Sequence, residues 1–174
     1  MGMEEDVNQV NEPAVAYSLR LNPALFPNQA KTTPVQKWPS SLLGLKSSTV
    51  AESDFEEIAT IRAGVPMSSL EHFMEKAGFN LVEIAQILHT TDRTLRRYST
   101  EKKLNAEHSE RAIELAKLYA RGEEVFGSLD AFKNWMDSDI LALGKRKPKS
   151  FLDTSIGIVM LTKTLGRIEH GVYS

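Results

Sequence analysis

The sequence predicts a mainly α-helical protein, a helical bundle that contains a helix-turn-helix and is followed by a second small helical domain. Three observations lead to this prediction. From Ser53 onward, apolar residues recur at the three-to-four spacing that places them on one face of a helix. Residues that cap helices, such as Asn80, Asn105 and Ser128, stand directly before these apolar runs. Strand-like alternation of apolar and polar residues is nearly absent after residue 50.

The composition is that of an ordinary globular protein and excludes several functional classes. With 21 Lys and Arg against 23 Asp and Glu, the formal net charge of -2 excludes a histone-like polycation but allows a local basic patch. The absence of Cys excludes disulfides, thiolate nucleophiles and Cys-based metal sites, and it fits the reducing cytoplasm. No apolar run approaches the ~18 residues of a membrane span, and the polar N-terminus is unlike a secretory signal. We therefore expect a cytoplasmic protein.

Residues 1–52 form a distinct N-terminal region. Five of the seven prolines fall within its first 39 residues. A short stretch between prolines alternates with a period of two, which predicts one short extended segment or, as the alternative, a mobile arm. The apolar positions of this stretch are Val15, Tyr17, Leu19 and Leu21. We place a helix-turn-helix and dimerisation domain at 53–120 and the second helical domain at 121–174.

The helices that follow are bounded by start and stop residues. Ser68 with Glu71 predicts a capping box, and Gly78 predicts the end of that helix. Further helices are predicted from about 106 to 126 and from 129 to 137, and the last one begins after Asp153. The predicted inward-facing residues are Leu70, Phe73, Met74, Ala77, Leu129, Phe132, Trp135, Met136, Ile158, Leu161, Leu165 and Ile168.

The segment 81–99 predicts the helix-turn-helix. Two short amphipathic helices, the first starting at an Asn80–Glu83 capping box and the second at Thr91, are joined by a turn of about three residues. The turn position that usually holds Gly is His89, a residue type that tolerates a positive φ. The predicted shared core consists of Ile84, Leu88, Leu95 and Tyr98.

The second helix of this motif leaves a basic face outside the core. Three arginines on one short helix suit phosphate oxygens and guanine edges, which predicts insertion into the major groove of DNA. The alternative is an ordinary helix pair with a solvated basic face. Because the pI of 6.1 is low for a DNA-binding protein, affinity must come from local charge, dimerisation or a partner. The predicted DNA contacts are Thr91, Asp92, Arg93, Arg96 and Arg97.

Catalytic and cofactor motifs are absent from the sequence. The four histidines do not have the i, i+3 or i, i+4 spacing of a helical metal pair. The sequence also lacks a Gly-rich phosphate loop and the GxSxG nucleophile motif. We therefore predict a binding protein without catalytic residues, metal or cofactor.

Several motifs occur in a fixed order between Ile61 and Ser174. The stretch IRAGVPMSSLEHFMEKAGFNLVEIAQILHTTDRTLRRY is followed by EEVFGS, ALGKRKPKSFLDT and the ending LGRIEHGVYS. In this order the motifs resemble the Xre–MbcA–ParS antitoxin family. The most specific part of the resemblance is the C-terminal set, EVFG, ALG, LDT and GRIEHGV.

The resemblance implies an antitoxin of a bacterial type II toxin–antitoxin operon, with an Xre-like DNA-binding domain and a C-terminal toxin-binding domain. Its partner would be a RES-domain toxin that degrades NAD⁺ or, as in some relatives, transfers ADP-ribose to a protein. The antitoxin would cover the toxin's active site with its C-terminal region. Homodimers, or larger hetero-oligomers with toxin, would repress their own operon at an inverted repeat. The alternative is a stand-alone helix-turn-helix regulator without a toxin.

The C-terminal residues are the predicted toxin contacts. The last helix is expected to stop near Gly171 and to project a ring and a carboxylate, which suit a cleft that binds a dinucleotide. The alternative is that Val172 and Tyr173 pack against the protein's own core. A basic run at 145–149 is a further candidate for toxin or DNA contact, or else a solvated loop. The predicted toxin contacts are Arg146, Arg167, Glu169, His170, Val172, Tyr173 and Ser174.

Overall fold

A computed structural model describes residues 40–44 and 54–171 of the chain. The predicted extended segment at 15–21 and the predicted toxin contacts Val172, Tyr173 and Ser174 lie outside the described residues. Two short 3-10 helices, Leu141–Leu143 and Pro148–Phe151, precede the last helix. The α-helices are α1 (Ser40–Leu43), α2 (Asp54–Ala63), α3 (Met67–Ala77), α4 (Leu81–Ile87), α5 (Asp92–Arg96), α6 (Ala106–Phe126), α7 (Leu129–Met136) and α8 (Ser155–Glu169).

The prediction of a mainly α-helical protein is confirmed. Within residues 40–44 and 54–171 the chain forms helices and no strand. Extended pairing occurs there as single bridges, between Pro66 and Lys103 and between Ile140 and Arg146. The predicted boundary between residues 120 and 121 falls inside α6, so one continuous helix runs through both proposed domains.

The long helix α6 is the centre of the hydrophobic core, and α2, α7 and α8 pack around it. Its Tyr119 meets Phe73 of α3 and Phe132 of α7 edge to face, with ring centroids 5.5 and 5.0 Å apart. Burial raises the pKa of the Tyr119 hydroxyl far above its ordinary value, so this residue stays neutral. Gly122 allows α7 to approach α6, because a Cβ at this position would lie 2.4 Å from the Phe132 ring.

Four predicted helix starts are confirmed. Asn80 and Glu83 form the capping box, and each of its hydrogen bonds is 2.9 Å long. The side chains of Thr91, Asn105 and Ser128 each accept a hydrogen bond from the amide three residues further on. These caps satisfy amides that have no partner within their own helix, so local sequence is enough to define where the helices begin.

The predicted capping box at Ser68 is wrong. Helix α3 begins at Met67, two residues before the start that a Ser68 cap predicts, and Pro66 in the N-cap position makes no side-chain hydrogen bond. The amides of Met67 and Ser68 instead donate to the carbonyl oxygens of Lys102 and Thr100, at 2.8 and 2.9 Å. Because distant backbone oxygens satisfy these first-turn amides, the helix needs no capping side chain.

Candidate functional site

Helices α4 and α5 form the predicted helix-turn-helix. Ile84, Leu88 and Leu95 are buried, with exposed fractions of 0, 2 and 1%. The half-buried Tyr98 packs against the same core. The predicted core of the motif is therefore confirmed. Burial of this face turns the opposite face of α5 outward, where a groove of DNA can reach it.

The turn between the two helices carries His89 in the left-handed region, at φ 55°. This is the conformation expected of the position that usually holds Gly. The imidazole Nε2 of His89 lies 2.7 Å from the backbone carbonyl oxygen of Asp153, which can only accept a hydrogen bond. The turn is therefore held by a contact to the segment before α8.

The five predicted DNA contacts differ in how they are engaged. Thr91 caps α5, since its hydroxyl accepts the Thr94 amide at 3.1 Å. Asp92 accepts a hydrogen bond from Nε of Arg96 at 3.3 Å, one helical turn away. Arg93 and Arg97 are exposed, and within the described part of the chain no ion pair holds them. These two guanidinium groups are thus available to a ligand.

The second domain presents one exposed stripe along α8. Ile156 and Val159 are large apolar residues with exposed fractions of 83 and 50%. Three exposed polar residues continue the same face towards the C-terminus, because the spacings from residue 156 are those of one helical face. The stripe consists of Ile156, Val159, Lys163, Arg167 and His170. Sequence periodicity alone did not single out its apolar half.

Glu169, a predicted toxin contact, has a partner within the chain. Its carboxylate accepts a hydrogen bond from the guanidinium of Arg121 on α6. Arg121 also reaches Glu124 at 3.2 Å. This pair fastens the end of α8 to the central helix, so Glu169 supports the position of the stripe. Arg167 and His170 lie on the exposed surface.

The basic run at 145–149 contains residues in two different environments. Arg146 is exposed, and its backbone pairs with Ile140. Lys149 instead forms an ion pair with Glu83 of α4 at 2.7 Å, and its amine lies 5.0 Å from the Phe79 ring centroid. Lys149 therefore links the second domain to the helix-turn-helix through specific contacts, unlike the solvated charge of Arg146.

Arg111 of α6 is a buried residue that the sequence analysis missed. Its guanidinium donates to the carbonyl oxygen of Ile87 at 3.2 Å, to the hydroxyl of Ser155 at 2.6 Å and to the carbonyl oxygen of Asp153. These acceptors belong to the end of α4 and to the start of α8. The signal was present in the sequence, since Arg111 lies four residues before Leu115 on the stripe of α6 that faces the core.

Metal and membrane sites are not found in the part of the chain that the structure describes. No group of His, Asp and Glu side chains there has the arrangement to hold a metal ion. None of the helices over 40–44 and 54–171 is long and apolar enough to cross a bilayer. The basic face of α5 and the stripe of α8 are two exposed surfaces of this part of the chain.

Two family models match successive parts of the chain. The antitoxin Xre-like helix-turn-helix domain matches residues 56–117, which include α4 and α5. The antitoxin Xre/MbcA/ParS C-terminal toxin-binding domain matches residues 121–171, which include α7 and α8. The two exposed surfaces thus fall in different matched domains.

Comparison with individual proteins gives the same family. The chain is 30% identical over 118 residues to "Antitoxin Xre" of Photorhabdus laumondii, covering 67% of this chain and 80% of that protein. It is 29% identical over 120 residues to "Antitoxin Xre" of Yersinia enterocolitica, with the same coverage. It is also 26% identical over 132 residues to the "Prs ADP-ribosylating antitoxin" of a Sphingobium species, covering 70% and 83% of the two chains.

Proposed function

The chain belongs to the Xre–MbcA–ParS antitoxin family, and from this premise we propose that it neutralises a RES-domain toxin that consumes NAD⁺. The family resemblance of the sequence motifs is confirmed. The protein is a type II antitoxin with a DNA-binding helix-turn-helix and a toxin-binding domain, and it is not an enzyme. Its partners are a toxin and DNA. The chemistry of the toxin and the way the antitoxin blocks it are the proposal.

The exposed stripe of α8 is the observation that carries this proposal. Its apolar end, Ile156 and Val159, can gain about 1.5–3 kcal/mol per fully buried side chain when a partner covers it. Its other end carries the cations Lys163 and Arg167. A pocket for NAD⁺ receives a pyrophosphate, and guanidinium groups pair well with phosphate oxygens. The stripe ends at His170, and we propose that residues 172–174, which follow in the sequence, enter the toxin's active-site cleft.

The relatives support a toxin that uses NAD⁺. The Sphingobium relative carries a name that refers to ADP-ribosylation, a reaction in which NAD⁺ is the donor. In our proposal Arg146, Arg167, His170, Val172, Tyr173 and Ser174 contact the toxin, while Glu169 acts through its pair with Arg121. Apolar burial would supply affinity, and the cations would select the anionic cleft.

The DNA-binding part would regulate the protein's own operon. We propose that α5 enters the major groove and that a homodimer, or a larger complex with toxin, binds an inverted repeat in the promoter. A two-fold dimer presents two recognition helices about one turn of DNA apart, which requires such an operator. Promoter and NAD⁺ are both found in the bacterial cytoplasm, where we place the protein. The match of residues 121–171 to a toxin-binding domain favours this function over a stand-alone regulator.

Co-expression with the toxin encoded beside its gene tests the proposal. Removal of residues 172–174, or Arg167→Glu on the stripe, should abolish protection of growth while leaving promoter binding unchanged. Arg62→Glu, at an exposed arginine on α2, makes the same charge change outside the toxin-binding domain and should protect fully. Full protection by both altered C-termini would overturn the blocking mechanism. A neighbouring toxin that leaves cellular NAD⁺ unchanged would overturn the proposed chemistry.

A further inference from the structure

A polar cleft of about 380 Å³ lies beside the C-terminal end of α5. Every side chain that lines it can donate a hydrogen bond: two are cations, three carry hydroxyl groups and none is acidic. A concave surface made of hydroxyl and cationic donors is suited to an oxyanion such as phosphate. The lining residues are Thr94, Arg97, Tyr98, Ser99 and Lys102.

Both walls of this cleft are held by backbone hydrogen bonds. One wall is the last turn of α5, where the amides of Arg97 and Tyr98 bond to carbonyl oxygens of the helix. The other wall is the loop 99–102, in which the carbonyl oxygens of Thr100 and Lys102 accept from the first two amides of α3 at 2.9 and 2.8 Å. The cleft is therefore formed before any ligand binds, which reduces the ordering cost of binding.

Lys102 is placed at the cleft by an aromatic contact. Its amine lies 5.9 Å from the centroid of the Tyr98 ring, a distance at which the ring attracts a cation. The next residue, Lys103, is also exposed but does not line the cleft. The acidic Glu101 is exposed and lies outside the lining as well. Two neighbouring lysines with equal charge therefore differ in whether they face the cleft.

A second polar cleft of the described region has the opposite character. It lies between the helix-turn-helix and α8, and its lining includes Glu107, Glu110 and Glu114. Burial raises the pKa of Glu114 above its ordinary value, against the opposing effect of Arg111. A polyanion would be repelled by this surface. The basic cleft at α5 is thus a local feature of a chain whose net charge is -2.

We propose that the cleft at the end of α5 is a binding site for one phosphate group of the DNA backbone. This proposal rests on the proposed function, since it requires α5 to enter DNA. This phosphate-binding site would position the helix in the groove, while Arg93 in the first turn of α5 reaches the base edges. Arg97, predicted from sequence as part of one arginine face, is then a backbone contact together with Lys102. Binding strength and sequence preference would come from different arginines.

The test compares Lys102→Met with Lys103→Met, which remove the same charge from adjacent exposed positions. Binding of the full-length chain to a labelled duplex of arbitrary sequence is followed by fluorescence anisotropy from about 50 to 300 mM KCl. Lys102→Met should reduce the slope of log affinity against log salt by about one unit. Raising the salt fourfold would then cost this variant about fourfold less affinity than it costs the unaltered chain. Lys103→Met should leave the slope nearly unchanged.

Two further variants distinguish a specific phosphate-binding site from non-specific electrostatic attraction to DNA and from misfolding. Lys102→Arg keeps the charge and should restore the original slope. Arg93→Met should keep the slope on arbitrary DNA within about half a unit and lose the preference for the protein's own promoter. If both lysine variants changed the slope equally, or if Lys102→Met did not change it, the proposed phosphate-binding site would be refuted although the protein still bound DNA. If the unaltered full-length chain bound no duplex at all, both the proposed DNA function and the phosphate-binding site would be refuted.

Discussion

The Nε2 atom of His89 donates a hydrogen bond to the backbone carbonyl oxygen of Asp153, at 2.7 Å. His89 forms the turn between α4 and α5, and Asp153 lies just before α8. The guanidinium of Arg111 donates to the same carbonyl oxygen. One backbone oxygen therefore receives hydrogen bonds from the DNA-binding motif and from the central helix. This junction fixes where the recognition helix stands relative to the helix that we propose to contact toxin.

Substitution of His89 should separate the hydrogen bond from the conformation of the turn. His89→Ala loses the bond and keeps a side chain at φ 55°, so we expect a loss of about 1–2 kcal/mol in the free energy of unfolding. His89→Gly loses the same bond but adopts this φ without strain, and it should be about 1 kcal/mol more stable than the Ala variant. Urea unfolding followed by circular dichroism measures both. The reverse order of stability would show that the turn is not left-handed in solution.

Arg111 should be among the most sensitive charged positions of the protein. Arg111→Met leaves the buried carbonyl oxygen of Ile87, the partly buried carbonyl oxygen of Asp153 and the Ser155 hydroxyl without this donor, which should cost about 2–4 kcal/mol of unfolding free energy. Arg111→Lys keeps the charge but cannot span three acceptors, so it should lie in between. Arg167→Met, on the exposed stripe, is the control and should change stability by less than about 0.5 kcal/mol. Equal effects at both arginines would contradict the structural role of Arg111.

Helix positions were predictable because their signals are local. The caps Asn80, Thr91, Asn105 and Ser128 each accept a hydrogen bond from an amide three residues further on, so each helix start could be identified from a few neighbouring letters. Ser68 shows the limit of this reasoning. Its amide is satisfied by the carbonyl oxygen of Thr100, and no local rule predicts a partner so far along the chain.

Only the part of the candidate site that depends on local sequence signals could be predicted. The basic face of α5 follows from helical spacing, and the family motifs identified both domains. Arg111 donates to the backbone carbonyl oxygen of Asp153, and Arg121 donates to the carboxylate of Glu169. These partners lie 42 and 48 positions further along the chain, so neighbouring letters of the sequence do not identify them. Glu169 was therefore predicted as a toxin contact, whereas the structure gives its carboxylate to Arg121. Pairs of this kind require the tertiary fold.

The ion pair of Glu83 with Lys149 should make stability depend on pH in the acid range. Partial burial acts to raise the pKa of Glu83, but hydrogen bonds from Lys149 and the Asn80 amide outweigh it, and the pKa lies below the ordinary 4.5. The unfolded chain then binds more protons at this carboxyl, so its stabilising contribution is present above about pH 4.5 and is lost as pH falls through the folded pKa.

Glu83→Gln tests this pH dependence while its amide oxygen can still cap α4. The difference in urea midpoint between the unaltered chain and the variant should shrink as pH falls from about 6 to 3. Lys149→Met alone should reduce this pH dependence in part, because the Asn80 amide still bonds to the Glu83 carboxylate. Adding Lys149→Met to Glu83→Gln should reduce it no further than Glu83→Gln alone. A constant difference across this range would mean that the ion pair does not lower the pKa of Glu83.

Two glycines in helices should respond in opposite directions to alanine. At Gly122 a new Cβ would lie 2.4 Å from the buried Phe132 ring, so Gly122→Ala should lower the free energy of unfolding by about 1–3 kcal/mol. At Gly166 of α8 no atom lies within 4 Å of the new Cβ. Gly166→Ala should therefore raise stability by about 0.5–1 kcal/mol through helix propensity. Calorimetric melting temperatures test the pair, and a stabilised Gly122→Ala would contradict the close approach of α7 to α6.

Val159 and Val82 offer a matched pair for the proposed toxin contact. Both side chains are 50% exposed on a helix, but Val159 lies on the α8 stripe and Val82 lies on α4. Val159→Ser should raise the dissociation constant for a catalytically inactive form of the neighbouring toxin by about tenfold, since about 1.4 kcal/mol of apolar burial is lost. Val82→Ser makes the same substitution at an equally exposed position outside the toxin-binding domain, and this variant should bind toxin normally. Titration calorimetry gives both constants, and the melting temperatures of the two variants show whether either fold has changed. If Val159→Ser bound toxin as tightly as Val82→Ser, the apolar end of the stripe would lie outside the complex, and the terminal residues would have to block the toxin without it.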